Sequence, residues 1–88
     1  MKQRSNLAHK VVWITGASSG LGKALAHHCA LHGAEVILMA RRLTELEKVR
    51  QSLSDPHRHI CIAADISDEN QVRHAYEQVL EKKGRIDW

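Results

Sequence analysis

The stretch of this chain best suited to chemistry is Thr15-Gly16-Ala17-Ser18-Ser19-Gly20-Leu21-Gly22. Glycines at this spacing, interleaved with hydroxyls, suit a phosphate. Glycine reaches left-handed backbone conformations, and without a Cβ it lets backbone N–H groups approach an anion closely. Farther along, Arg41-Arg42 places two permanent positive charges side by side, and guanidinium groups form strong charge-assisted bonds to phosphate oxygens. Neither Ser18 nor Ser19 has a visible base to activate it, so both read as phosphate or ribose contacts rather than nucleophiles.

Such a loop works only if the backbone is aimed, and the apolar pattern supplies the aiming elements. Val11-Val12-Trp13-Ile14-Thr15 is a compact β-branched run without polar alternation, as in a parallel strand covered on both faces. From Leu21 the spacing turns helical through Leu21, Ala24, Leu25 and Cys29, with Gly33 as a left-handed C-terminal cap. Val36–Ala40 repeats the buried-strand pattern. A second helix follows, with Leu43, Leu46, Val49 and Leu53 on one face and a Thr44-x-x-Glu47 capping box at its start, ended by a turn at Asp55-Pro56. Ile60–Ala64 reads as a third strand. The third helix opens at Asp68-Glu69, carries Val72, Ala75, Tyr76, Val79 and Leu80 on one face, and stops at Gly84.

Strand and helix alternate three times, which predicts an α/β fold with a parallel sheet: the first three βα units of a Rossmann-type doubly wound domain. In that topology the strand-to-helix turn at Gly16–Gly22 points N–H groups and the positive helix end at one spot. Residues 1–9 are expected to be a flexible tail, and residues 1–88 one unit. Ile86-Asp87-Trp88 looks like the approach to a fourth strand beside the first, so the chain is expected to be truncated there with the Val11–Thr15 edge left unpaired.

Two rival phosphate motifs fail. A P-loop needs glycine where Ala17 stands and Ser or Thr where Ala24 follows Lys23; the GxGxxG fingerprint has Leu25 at its third glycine. The spacing that remains, TGxxxGxG from Thr15 to Gly22, resembles the cofactor loop of the short-chain dehydrogenase/reductase family, and the resemblance runs from about Lys10 to Trp88. It implies an oxidoreductase that moves hydride between a nicotinamide dinucleotide and a small carbonyl or alcohol substrate, homo-oligomeric when full length. Gly16, Ser18, Ser19, Gly20, Leu21 and Gly22 would then hold the pyrophosphate side.

NAD-binding domains place an acid at the end of the second strand to hold the ribose hydroxyls. Here Ala40 stands in its place and Arg41 follows, so NADP(H) is expected over NAD(H), with Arg42 the second candidate cation. In the resembled family an arginine at the Arg41 position marks NADP(H) preference, and Ser18 would assist at the ribose phosphate. The resemblance also assigns Asp65 to the adenine amino group and Ile66 to the ring. Read without the family, Asp65 is a turn residue or helix cap.

Other features point away from chemistry. His28 and His32 are spaced for one metal, but Cys29 stands where a zincin needs glutamate and no third ligand is near, so no metal site is expected. His57 and His59 fall in a loop and strand entry. Trp13 is read as packing against a covering helix. A net charge of +3 spread over the tail, Arg41-Arg42 and Lys82-Lys83-Arg85 disfavours nucleic acid. Cys29 and Cys61 read as reduced packing thiols, and the longest apolar runs, Val36–Ala40 and Ile60–Ala64, are far short of the ~20 residues that span a bilayer. A cytoplasmic protein without membrane partners is expected.

Catalytic residues are not found. The resembled family uses Asn-Asn-Ala-Gly, a serine and Tyr-x-x-x-Lys; the single tyrosine, Tyr76, is followed four residues later by Leu80. The sequence thus reads as the cofactor-binding half of a reductase. The alternative is a non-catalytic, truncated dinucleotide-binding or interaction module.

Overall fold

The computed structural model describes residues 7–88. Its strands are β1 (Val11–Thr15), β2 (Glu35–Ala40) and β3 (Ile60–Ala63), and its helices α1 (Gly20–Leu31), α2 (Leu43–Ser52) and α3 (Glu69–Lys83). They form one parallel sheet in the order β1-β2-β3, with Val11 beside Glu35 and Ile37 beside Ile60.

Strand side chains alternate between two faces, and each face is covered. Val12, Ile14, Val36 and Leu38 pack with Ala26, Cys29 and Ala30 of α1 and Leu46 and Val49 of α2. Val11 and Ile37 meet Val79, while Met39 meets Ala75, both from α3. Two helices on one face and one on the other make the doubly wound arrangement. Trp13 packs under α3, its ring stacked on Tyr76 with centroids 6.3 Å apart.

Three local expectations differ from what is found. The helical spacing of Leu21, Ala24, Leu25 and Cys29 does not mark the core face of α1: Leu21 and Leu25 are 75% and 45% exposed, and of the four only Cys29 is buried. The buried stripe is Ala26, Cys29 and Ala30, small side chains that let the helix lie close to the sheet. The Thr44-x-x-Glu47 capping box does not form. α2 starts two residues earlier, with Arg42 rather than Thr44 at the N-cap and no side-chain cap, and Glu47 instead accepts from Arg50 Nε at 2.8 Å. Residues 7–9, assigned to a tail, form a turn whose Leu7 is buried in the core; residues 1–6 of that tail lie outside the described residues.

The start of the sheet consumes polar groups. Asp87 Oδ2 accepts from Val11 N–H at 2.8 Å and from Arg85 Nε at 2.9 Å. Trp13 N–H donates to the Trp88 carbonyl at 2.7 Å, so residues 87–88 already run along the β1 edge expected to be bare. Glu35 Oε1 lies 2.6 Å from Lys83 Nζ, and its carboxyl is held below the ordinary value chiefly by that bond. His59 stands in for a ladder residue just before β3: its Nδ1 accepts from Val36 N–H at 3.0 Å and its Nε2 bonds the Ser54 carbonyl at 2.7 Å.

Candidate functional site

The turn from β1 into α1 needs its glycines for different reasons. Gly16 and Gly20 have φ of +62° and +57°, where a side chain is strained, and a Cβ built on either meets nothing within 4 Å. Gly22 is a steric requirement. A Cβ there would lie 2.3 Å from the Gly16 carbonyl oxygen, so the first turn of α1 packs against the loop itself rather than against the sheet.

Three helices start along this rim of the sheet, and their ends differ. The Asp68 carboxylate caps α3 by accepting from Asn70 N–H at 3.0 Å and Gln71 N–H at 3.3 Å, with Glu69 in the first turn. α2 carries Glu45 in its first turn. α1 has no acid in its first turn and no side-chain cap from Ser19. The N–H groups that open a helix have no intrahelical acceptor, so the partial positive charge of α1 is left for an outside anion.

A cleft of about 700 Å³ lies across the C-terminal ends of the three strands. It brings together Gly16, Ser18 and Ser19 from the first turn, Ala40, Arg41 and Arg42 from the second, and Asp65 and Ile66 from the third. Arg41 and Arg42 are exposed. Asp65 Oδ1 accepts from Ser67 N–H at 2.9 Å and Ser67 Oγ at 2.7 Å, a closed local turn. The Ser67 hydroxyl, then its N–H, and then the charge of Arg41 hold the Asp65 carboxyl below its ordinary value.

Residues 10–88 match the family model described as short chain dehydrogenase. The chain belongs to the short-chain dehydrogenase family. The "Dehydrogenase/reductase SDR family protein 7-like" of Anopheles gambiae is 47% identical over 99% of this chain and 30% of its own length. L-Sorbose reductase from Gluconobacter frateurii, solved with NADPH and L-sorbose, superposes with a TM-score of 0.88 at 32% identity, covering 97% of this chain and 33% of that one. The 3-ketoacyl-(acyl-carrier-protein) reductase of Brucella melitensis, solved with NADH, gives 0.85 at 39%, covering 93% and 33%. The chain therefore spans about a third of the length of the short-chain dehydrogenases it matches.

Of the ten residues singled out from the sequence, seven line the cleft: Gly16, Ser18, Ser19, Arg41, Arg42, Asp65 and Ile66. Gly20, Leu21 and Gly22 lie outside that lining, in the first turn of α1. Sequence reasoning missed Glu45, which lines the cleft beside the two arginines. The signal was an acid in the first turn of α2, three residues past Arg42, at the helix end that meets the rim. Among the described residues no group of three His, Cys, Asp or Glu side chains converges as metal ligands, and no helix is long and apolar enough to cross a membrane.

Proposed function

We propose that this chain is the dinucleotide-holding part of a short-chain reductase or dehydrogenase acting on a carbonyl or alcohol, and that it takes NADP(H) in preference to NAD(H). The observation that carries the reading is one cleft holding three unlike features. These are Ser19 at the uncapped N-terminus of α1, the Arg41-Arg42 pair, and Asp65-Ile66 at the third strand end. The residues fit a pyrophosphate, since the backbone at Gly16 and Gly20 leaves open the space a Cβ would fill.

In this reading Gly16, Ser18, Ser19, Gly20, Leu21 and Gly22 form the phosphate cradle. Arg41, aided by Arg42, bonds a 2′-phosphate, while Asp65 and Ile66 face the adenine. The nicotinamide, when bound, supplies the hydride chemistry. The preference rests on Ala40, which presents no carboxylate to ribose hydroxyls, and on the adjacent guanidinium groups. The relatives named above do not decide it, since one was solved with NADPH and the other with NADH.

Calorimetric titration of the chain with NADPH and NADH tests this. Arg41→Ala is expected to weaken NADPH binding about 10- to 100-fold, the worth of a charge-assisted bond of roughly 1.5–3 kcal/mol, and to leave NADH nearly unchanged. An unchanged NADPH-to-NADH ratio would remove Arg41 from the assignment.

A further inference from the structure

The ionisable residues lining the cleft are Arg41, Arg42, Glu45 and Asp65, two of each sign, so the pocket is formally neutral rather than cationic. The two acids are not equivalent. Asp65 is engaged with Ser67 through one oxygen and sits at the third strand end. Glu45 stands on the first turn of α2, three residues after the Arg41-Arg42 pair, and is ion-paired with Lys48 Nζ at 3.7 Å. That pair is exposed, with Lys48 76% and Glu45 46% accessible, so Lys48 screens the carboxylate only weakly.

From this placement we infer that Glu45 is a specificity-determining residue. Its carboxylate opposes the 2′-phosphate that the arginines attract, so the site accepts adenosine nucleotides both with and without that phosphate. The inference rests on the dinucleotide reading of the cleft. A dianionic 2′-phosphate near Arg41 and Arg42 also meets the field of Glu45, whereas a ribose 2′-hydroxyl in the same place meets almost none. Glu45 therefore narrows the gap between the two nucleotide classes without touching either the pyrophosphate cradle or the adenine end.

The adenosine halves, 2′,5′-ADP and 5′-AMP, isolate this effect because neither carries the nicotinamide. Titrating each into the full chain and its Glu45→Gln variant, Glu45→Gln is expected to tighten 2′,5′-ADP about 3- to 10-fold and leave 5′-AMP within about twofold, the size of one partly screened charge. The gain should shrink as salt rises, a readout that a merely structural role for Glu45 would not move. Equal changes for both nucleotides, or none for either, overturn the role of Glu45 while leaving the cleft as a nucleotide site. If neither nucleotide binds the parent chain, the dinucleotide reading itself falls and this inference with it. Thermal unfolding of Glu45→Gln provides the folding check, because the substitution keeps side-chain size and removes only the charge.

Discussion

The two ends of the sheet use polar groups in opposite ways. At the amino ends of the strands polar side chains are committed to partners: Asp87 to Val11 and Arg85, Glu35 to Lys83, and His59 to Val36 and Ser54. At the carboxyl ends the α1 N-terminus is uncapped and Arg41 and Arg42 are exposed. Folding requires that buried polar groups be paired, whereas recognition needs polar groups that are positioned but unspent. The β3 corner of the binding rim lies between these extremes, since Asp68 already occupies the N–H groups of α3.

The comparison predicts which changes cost stability and which cost binding. The largest effect belongs to the one binding-rim residue that is also a packing requirement. Gly22→Ala places a methyl 2.3 Å from the backbone oxygen of Gly16, which cannot move without the loop moving. It is expected to lower stability by about 3 kcal/mol in urea unfolding and to weaken nucleotide binding as well. A Gly22→Ala chain as stable as the parent would show that the α1 turn and the loop are not tightly packed.

His59 provides the next largest effect, at the other end. It is 5% exposed, and its replacement by alanine leaves the Val36 N–H without its acceptor, worth about 2 kcal/mol of stability with no change in nucleotide affinity. Its pKa is lowered, first by burial; the Ser54 carbonyl pulls it back, while Arg58 and Lys83 push it further down and Asp55 opposes them. The unfolded chain takes up this proton near about pH 6.5, where the folded chain does not, so in that window the unfolded state holds more protons. The contribution is therefore complete above about pH 6.5 and is lost as pH falls toward the folded pKa. His59→Asn, which keeps an acceptor and cannot titrate, should flatten that slope in denaturant midpoints followed across it. A slope that survives in His59→Asn would place the titration elsewhere.

The smallest effect sharpens the contrast along the binding rim. Asp68→Ala removes the cap of α3 and is expected to cost about 1 kcal/mol in thermal unfolding, with NADPH affinity unchanged. A loss of NADPH affinity in that variant would mean that the α3 N-terminus belongs to the site.

Much of this was legible in the residues themselves. Two-sided strands announce themselves as unbroken apolar runs, so the three strands and their parallel order were readable, with ends shifted by one residue at Glu35 and Ala63. Gly33 was readable as a left-handed cap: with φ of +95° it closes α1, its N–H on the Ala30 carbonyl and that of Ala34 on the Cys29 carbonyl. The start of α2 was not, because Thr44 and Glu47 satisfy a local capping rule, whereas in the fold Glu47 is engaged by Arg50 and Arg42 takes the N-cap position.

Sequence alone determined which segments are strand or helix, and that a glycine-rich turn and an arginine pair stand at the same rim, because periodicity and backbone freedom are properties of local residue types. The tertiary structure decided which stripe of α1 meets the sheet, since helical spacing was present on the Leu21-Leu25 side as well and close approach selected the small residues. It also decided that His59 completes a β ladder and that Glu45 shares a cleft with Arg41. His59 and Val36 lie 23 residues apart, and the first turn of α2 that carries Glu45 is set at the rim by packing, so residue spacing alone places neither.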